Sequence, residues 1–122
     1  MESPEAIQSK LKTFHGSQAL YPCLNPNFVM SEGVHYLTEA AECDWLMDAL
    51  PPYIGRCGKG LCLLELQQEK GKWRLTITDR NGKLQVSEPI IHCSFPLPGI
   101  KLRIEWSELS GNRWVVYLPS ES

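Results

Sequence analysis

The stretch Phe28–Leu50, FVMSEGVHYLTEAAECDWLMDAL, decides the fold that the sequence predicts. It starts with three apolar residues, continues through a Ser-Glu-Gly segment, and then repeats apolar side chains at helical spacing. Ser31 is a favourable N-cap, and Glu32 suits the positive end of the helix dipole. We predict one helix over residues 33–49 that ends at Pro51, because a residue that precedes proline is disfavoured in the helical conformation.

The apolar residues of this helix form a stripe that is wide enough to pack across a sheet. The stripe contains Val34, Leu37, Ala40, Ala41, Trp45, Leu46, Ala49 and Leu50. The two central alanines would allow a close approach to a sheet, with Trp45 filling the space beside them. Replacing Trp45 by alanine is then expected to lower the free energy of unfolding by about 3–5 kcal/mol.

The residues before this stretch predict a second, shorter helix and a loop. Ser3-Pro4-Glu5 is a helix start with proline at the first helical position, and the apolar spacing predicts a helix from Pro4 to about Thr13. Residues 20–27 contain two prolines, which exclude a helix interior or a central strand. This segment is predicted to be a loop with an edge contribution to the sheet.

After residue 60, strand patterns replace helical periodicity. Residues 61–66 are rich in leucine, which predicts a central strand with both faces covered. Residues 73–77 alternate apolar and polar side chains, as expected of a half-buried strand. Residues 102–106 alternate in the same way, and a turn at residues 110–112 leads into a final strand over residues 114–118.

Asn81-Gly82 is the strongest local signal in the chain, because a two-residue type I′ turn requires positive φ at both positions. Such a turn would pair Ile77 with Val86 and Asp79 with Leu84, and would place Leu84 and Val86 on the buried face. Helices followed by consecutive strands with short turns predict an α+β fold. Its expected form is one or two N-terminal helices packed on one face of a four- to six-stranded antiparallel meander.

Length and composition fit one globular domain over residues 1–122. The chain is 43% hydrophobic and 21% charged, which is ordinary for a folded protein. No apolar run approaches the ~20 residues of a membrane span, and the N-terminus lacks the features of a secretory signal. Five cysteines, an odd number, favour reduced thiols. We expect a cytoplasmic protein that has no membrane partner.

Charge is distributed unevenly along the chain. Residues 1–54 hold two lysines and seven acidic residues, whereas residues 55–122 hold ten basic and seven acidic residues. The candidate interaction surface lies on the predicted central helix and contains Glu39, Glu42, Asp44 and Asp48. Such a surface would bind a basic protein partner, and a solvated helix face is the alternative interpretation.

The sequence contains no specific metal, cofactor or catalytic motif. No second Cys or His pair follows Cys57 and Cys62 at the spacing of a zinc site, and the adjacent His92 and Cys93 would point to opposite faces of a strand. We therefore assign no metal ligand, no cofactor and no catalytic residue. A small enzyme with a Cys–His or Cys-rich metal site is the alternative function, and it requires Cys57, Cys62 or Cys93 to converge with a histidine.

Two polyanion sites are further alternatives. Residues 55–60, Gly-Arg-Cys-Gly-Lys-Gly, lack the hydroxyl residue and the flanking elements of a phosphate loop. Arg56 and Lys59 remain candidate anion contacts. A basic outer sheet face with tryptophan platforms could bind single-stranded nucleic acid. This partner is not favoured, because Trp73, Trp106 and Trp114 occupy inward positions.

Three motifs carry a resemblance to a family: Phe14-His15-Gly16, Gly33-Val34-x-Tyr36-Leu37-x-Glu39-Ala40-Ala41, and Trp45-Leu46-x-Asp48-Ala49-Leu50. They resemble an uncharacterised family of small bacterial proteins, a domain of unknown function. The similarity covers nearly the whole chain, including tryptophan-bearing strands, an Asn-Gly hairpin and a segment like Ile90 to Pro96. It implies a stand-alone bacterial domain, and it supplies no activity.

Together these observations predict a non-catalytic bacterial accessory or protein-interaction domain that acts through a surface. The partner is expected to be a protein. Homodimerisation through an exposed sheet edge is one mode by which it could act.

Overall fold

A computed structural model describes residues 3–15, 19–54, 60–90 and 95–121. In these residues, three α-helices and one seven-stranded sheet form an α+β fold, and a 3-10 turn follows the last strand. The elements are α1 (Pro4–Leu11), β1 (Tyr21–Pro22), β2 (Phe28–Met30), α2 (Glu32–Ala40), α3 (Asp44–Ile54), β3 (Leu61–Glu69), β4 (Lys72–Asp79), β5 (Leu84–Ile90), β6 (Gly99–Ser107), β7 (Arg113–Tyr117) and the C-terminal turn Pro119–Glu121.

The strand order is β1-β2-β7-β6-β3-β4-β5, and β2 runs parallel to β7 whereas the other neighbours are antiparallel. The predicted α+β class is confirmed, but the antiparallel meander is wrong. Two strands precede the central helices, and β6 pairs with β3 rather than with β5. All three residues of β2 are buried, so its sequence lacks the alternation of apolar and polar side chains that would have indicated its position in the sheet.

The predicted N-caps of the first two helices are both present. The Ser3 hydroxyl accepts a hydrogen bond from the Ala6 amide at 3.2 Å, and the Ser31 hydroxyl accepts one from the Val34 amide at 3.2 Å. Each bond satisfies one of the amides that a helix leaves unpaired in its first turn. These local sequence signals therefore define where α1 and α2 begin.

The single helix predicted over residues 33–49 is wrong, because the chain forms two helices. Glu42 has a φ of +52°, which interrupts a right-handed helix after α2. The Cys43 amide then donates to the Thr38 carbonyl at 3.0 Å, which closes the helix end as a Schellman motif. Glycine usually occupies this left-handed position, so a glutamate there gave no sequence signal.

The predicted helix end at Pro51 is also wrong, because α3 contains both Pro51 and Pro52 and continues to Ile54. Prolines remove hydrogen bonds from a helix interior. The buried side chains of Leu50 and Ile54, 0% and 2% exposed, hold this turn against the core and offset that loss.

The helices pack on one face of the sheet. The break at Glu42 changes the phase of the apolar stripe, so that α3 buries Leu46, Met47, Leu50 and Ile54. Trp45 and Ala49, which were predicted to be in the stripe, are only half-buried. The core side of the sheet contributes Leu64, Leu66, Leu75, Ile77, Leu102, Ile104, Trp114 and Val116.

The β4–β5 hairpin is confirmed with Ile77 opposite Val86, but its turn differs from the predicted type I′ turn. The Asp79 amide donates to the Lys83 carbonyl at 2.9 Å, and Gly82 alone in this turn has positive φ, +83°. This is a three-residue loop with a glycine bulge.

The longer loop shifts the register beside the turn, so Thr78 rather than Asp79 lies opposite Leu84, and an irregularity between Ile77 and Thr78 restores the predicted pairing of Ile77 with Val86. Leu84 is 54% exposed, so its predicted place on the buried face is wrong. The Asp79 carboxylate explains the difference, because it accepts hydrogen bonds from the amides of Asn81 and Lys83 at 2.9 and 3.0 Å. These bonds favour the longer loop.

The opposite side of the sheet, called here the open face, is only partly covered. Leu63 at the centre of β3 is 41% exposed there, so the prediction that both faces of this strand are covered is wrong. The C-terminal turn crosses near β6. In the described ranges, no helix is both long and apolar enough to cross a membrane.

Candidate functional site

The chain has no lysine or arginine between Lys12 and Arg56, although five acidic residues lie in that interval. Its described residues fold as β1, β2, α2 and α3, so the helical side of the molecule carries carboxylates without a lysine or arginine beside them in sequence. The acidic helix surface is defined by the exposed residues Glu39, Glu42, Asp44 and Asp48.

The structure divides the acidic helix surface into two parts. Glu39 lies on α2, where its Oε1 is 3.1 Å from Nε2 of His35. The His35 ring stacks on Tyr21 of β1, with 4.0 Å between the ring centroids. Asp44 and Asp48 lie one helical turn apart on α3, and Glu42 lies in the break between the helices. Glu39 is therefore already engaged by a neighbouring side chain.

Asp44 and Asp48 line a cleft of about 350 Å³ between the β1–β2 connection and α3. The other lining residues are Pro22, Cys23, Leu24, Met30 and Met47. Leu24 is 85% exposed, so an apolar side chain stands free at the edge of the cleft. We call this the acidic cleft. Its two carboxylates were predicted from the sequence, whereas its apolar lining was not.

The β1–β2 turn brings this apolar lining to α3. The Phe28 amide donates to the Asn25 carbonyl at 3.1 Å, and the Asn27 amide donates to Oδ1 of Asn25 at 2.9 Å. The Cys23 amide then pairs with the Phe28 carbonyl at 3.2 Å. Asn-Pro-Asn is a recognisable turn signal, so a hairpin presenting Cys23 and Leu24 could have been predicted from it.

The thiol of Cys23 is held in its protonated form. Burial, together with the negative charges of Asp48 and Asp44, raises the pKa of Cys23 from 9.0 to about 11. Cysteine reacts as the thiolate, so an elevated pKa disfavours nucleophilic chemistry at neutral pH. Cys23 therefore serves the acidic cleft as a small apolar side chain.

A larger groove of about 880 Å³ lies on the open face beside the β6–β7 hairpin. Two of the three carboxylates in its lining, Glu105 and Glu121, already have partners. Glu105 accepts a hydrogen bond from the Tyr117 hydroxyl at 3.0 Å, and Glu121 accepts one from the Ser31 hydroxyl at 2.6 Å. Burial and the hydrogen bond to Glu105 raise the pKa of Tyr117, which keeps its hydroxyl a donor.

Asp44 and Asp48 differ from those carboxylates, because neither makes a hydrogen bond or a salt bridge within the described ranges. A carboxylate without a partner at the rim of an apolar cleft is free to bind a cation from another molecule. The acidic cleft is thus the site that the geometry supports best.

The remaining sequence candidates gain little from the structure. Arg56 and Lys59, the predicted anion contacts, lie outside the described residues, as do Cys57, His92 and Cys93. Cys62 is 1% exposed in the core. Within the described residues, no three His, Cys, Asp or Glu side chains are grouped so that they could hold a metal ion.

The basic residues and the strand tryptophans lie on opposite faces of the sheet. Trp106 is opposite Trp114 in the β6–β7 pair, and their rings meet edge to face at 5.4 Å on the core side. Trp73 meets Phe95 edge to face at 5.8 Å. Arg74, by contrast, bonds Ser87 at 2.8 Å on the open face. These residues therefore do not place aromatic rings for base stacking and cations for phosphate binding on the same surface.

Residues 5–122 match the model of a family of unknown function, DUF6876. The chain belongs to DUF6876. The match confirms the resemblance to an uncharacterised family, and DUF6876 supplies no activity that could be transferred to this chain. No curated protein sequence matches the chain.

The chain is similar to the crystal structure of a protein of unknown function from Enterococcus faecalis. The two are 18% identical, with a TM-score of 0.52, and the alignment covers 79% of this chain and 90% of that chain. At this identity the similarity concerns the fold alone.

Proposed function

We propose that this protein is a non-catalytic accessory protein that binds a basic segment of a partner protein through its acidic helix surface. The single observation that carries the proposal is the position of Asp44 and Asp48, two carboxylates without partners among the described residues, at the rim of an apolar cleft. The other exposed carboxylates of the surface extend the negative charge toward α2.

The chemistry of the acidic cleft suits a lysine or arginine side chain. Such a side chain has an apolar stem and a charged head, and it buries the stem while the head remains polar. Leu24, Met30 and Met47 offer the stem apolar contacts. Asp44 and Asp48 offer the head two charge-assisted hydrogen bonds. Methionine side chains also adapt to partners of different shape.

The charge of the surrounding surface supports the same partner. Carboxylates spread over α2 and α3 create a negative potential, which speeds the encounter with a basic partner and repels acidic ones. Because exposed charges are screened over about 8–10 Å at ordinary salt, association should weaken as the salt concentration rises.

The alternative of a Cys–His enzyme has no comparable support in the described residues. Cys62 is buried in the core, and the raised pKa of Cys23 disfavours its thiolate. Interaction remains the function with a defined surface and a defined partner chemistry.

Affinity capture with quantitative mass spectrometry tests the proposal. The wild-type protein and the double variant Asp44→Lys, Asp48→Lys are used as bait, together with the control Glu69→Lys, Glu108→Lys. The control reverses two exposed carboxylates outside the cleft and changes the net charge equally. A captured basic protein is then purified, and its affinity for each variant is measured.

The expected result is a loss of affinity of at least about tenfold for the cleft variant, with the control variant close to wild type. The affinity of the wild-type protein should fall as salt is added. Equal binding by wild type and the cleft variant would reject the acidic cleft as the binding site.

Pairing of two copies remains a second hypothesis for the partner. The edge strand β5 is seven residues long and contains Pro89, which removes one backbone donor from the edge. Proline at an edge limits pairing with another strand. Light scattering after size exclusion tests the dimer, and a monomer at high protein concentration would reject it.

A further inference from the structure

A third cavity, of about 270 Å³, lies on the open face of the sheet and differs in charge from the acidic cleft. It is lined by Leu63, Leu64, Glu65, Thr76, Thr78, Lys101, Leu102, Arg103 and Pro119. We call it the open-face cleft. Since a water molecule occupies about 30 Å³ in the liquid, the space admits a small oxyanion with several waters.

The guanidinium of Arg103 is the central feature of the open-face cleft. Its Nε atom is buried and has no hydrogen-bond partner in the described part of the chain. A buried charged donor without an acceptor is unfavourable, and it calls for a bound ion or water as explanation. The sequence pattern places Arg103 on a basic outer sheet face together with Arg74, Arg80, Lys83 and Lys101, but it cannot show that Nε of Arg103 is buried.

The neighbours of Arg103 hold its side chain in place on one side. Tyr117 lies directly opposite Arg103 in the β6–β7 pair, and the Tyr117 hydroxyl donates to Glu105 at 3.0 Å. The guanidinium also lies near the Tyr117 hydroxyl, where its positive charge opposes the rise in the pKa of Tyr117. Arg103 is thus oriented before any ligand arrives, which reduces the entropy lost on binding.

Further donors surround the same space. Lys101 and Thr78 line the cleft, and neither side chain makes a hydrogen bond or ion pair within the described ranges. Thr76 contributes a hydroxyl whose contact with the Glu65 carbonyl is long, at 3.5 Å. Glu65 is the one carboxylate in the lining, and it lies opposite Lys101 without forming a salt bridge.

We infer that the open-face cleft binds a small molecule through a phosphate or carboxylate group held by Arg103 and Lys101, with the hydroxyls of Thr76 and Thr78 as additional donors. A guanidinium fork, an ammonium and two hydroxyls are the donor set that an oxyanion requires. The inference does not depend on the proposed function, since the acidic cleft lies at α3 and carries the opposite charge.

Single-stranded nucleic acid fits this site less well than a small molecule. Tryptophans that could stack bases lie on the core side of the sheet, and Glu65 and Glu105 flank the two basic residues of β6. An extended polyanion would meet these carboxylates, whereas a single oxyanion can be bound between Arg103 and Lys101.

Titration of the ¹⁵N-labelled protein with inorganic phosphate, at constant ionic strength, tests the inference by NMR. We expect saturable shifts of the amides of Thr76, Thr78 and Arg103 and of the Arg103 Nε–H signal. A parallel titration with acetate distinguishes the two ligand classes, and saturation by either ion with this pattern of shifts supports the site.

Three variants make the result specific. Arg103→Gln should weaken the affinity by about tenfold or more, and Lys101→Gln should weaken it several-fold. Arg74→Gln is the matched control, because it removes an open-face guanidinium that already bonds Ser87, and its affinity should equal that of wild type. Lys101 is exposed, so its variant keeps the test valid if Arg103→Gln unfolds.

Two results would overturn the inference. One is a set of shifts that stays linear up to high phosphate and acetate concentrations, which indicates an adventitious ion only. The other is an affinity of the folded Lys101→Gln variant, and of Arg103→Gln if it folds, equal to that of Arg74→Gln.

Discussion

The carboxylate of Glu121 accepts a hydrogen bond of 2.6 Å from the hydroxyl of Ser31, 90 residues earlier in the chain. The same carboxylate accepts from the Gly33 amide at 3.2 Å and from the Leu118 amide at 3.0 Å. It therefore supplies the first turn of α2 with a negative charge where the helix dipole is positive. One side chain of the C-terminal turn joins that turn to the start of the central helix.

We expect Glu121→Ala to lower the free energy of unfolding by about 1–3 kcal/mol, because it removes three hydrogen bonds to a charged acceptor. Chemical denaturation measures the change. Ser120→Ala, an exposed neighbour in the same turn, serves as control and should be within about 0.5 kcal/mol of wild type. Equal stability of the two variants would show that the Glu121 contacts contribute nothing.

Gly33 is required for the close approach of α2 to the C-terminal turn. A Cβ atom there would lie 2.5 Å from Cδ1 of Leu118 and 2.8 Å from Oε1 of Glu121. Alanine normally favours a helix over glycine by about 1 kcal/mol, but here the clash should prevail and destabilise by about 1–3 kcal/mol. Gly60→Ala is the control, since nothing lies within 4 Å of its Cβ. A stabilised Gly33→Ala protein would contradict the packing.

Because the break at Glu42 changes which side chains of α3 are buried, the structure predicts which substitution in α3 lowers the free energy of unfolding most. Leu50 is fully buried, so Leu50→Ala should lower the free energy of unfolding by about 2–5 kcal/mol. Trp45 is half-buried, so Trp45→Ala should fall below the about 3–5 kcal/mol of a fully buried aromatic side chain. Chemical denaturation of both variants distinguishes the two-helix structure from one continuous helix. A larger loss of unfolding free energy at Trp45 than at Leu50 would favour the continuous helix.

The raised pKa of Cys23 predicts slow alkylation. A pKa near 11 instead of 9.0 leaves about a hundredfold less thiolate at pH 8. Asp48→Asn removes one cause of the shift, so the rate of reaction with iodoacetamide should rise, whereas Glu39→Gln should leave it unchanged. Cys57→Ser and Cys93→Ser in the background leave Cys43 and Cys62 as the other thiols, each 1% exposed.

The raised pKa of Cys23 also makes the stability of the protein depend on pH in the alkaline range. The unfolded thiol releases its proton near pH 9.0, before the folded thiol does so near 11. The contribution of the protonated thiol is thus fully present below pH 9.0 and is lost as the pH rises to about 11. Cys23→Ala should remove this part of the pH dependence, and an unchanged profile would contradict the shift.

Asp79 predicts the opposite dependence at acidic pH. Hydrogen bonds from the Lys83 amide, and then from the Asn81 amide and the Gln85 side chain, lower the pKa of Asp79 below 3.8. The stability that the ionised Asp79 carboxylate contributes is present above pH 3.8 and is lost as the pH falls through the lowered pKa. The stability difference between wild type and Asp79→Ala should therefore shrink in acid. Arg80→Ala, in the same turn, keeps these bonds and should parallel wild type.

The local parts of the fold could be predicted from the sequence, and the non-local pairings could not. The N-cap at Ser31, the hairpin that pairs Ile77 with Val86, and the inward side chains of β6 follow from neighbouring residues. The left-handed residue at Glu42 and the parallel place of β2 depend on contacts made elsewhere in the chain. A prediction that assumes one continuous helical periodicity therefore does not include the break between α2 and α3.

The candidate site shows the same division. Asp44 and Asp48 were predicted, because a run of carboxylates without nearby lysine or arginine is visible in the sequence. The apolar lining of the acidic cleft was missed, because Leu24 and Met30 reach α3 only after β1 and β2 have formed their hairpin. The role of Arg103 depends on a buried atom, which alternation along a strand cannot reveal.

The parallel pairing of β2 with β7 determines when the protein can fold during its synthesis. Phe28 leaves the ribosome long before Trp114, its partner across the sheet, has been made. Until then, the apolar sides of α2 and α3 have no complete sheet to cover them, and the nascent chain exposes them to other proteins. These apolar surfaces are therefore covered only when the last strand, β7, has been made, and a chaperone would be of most use before that point.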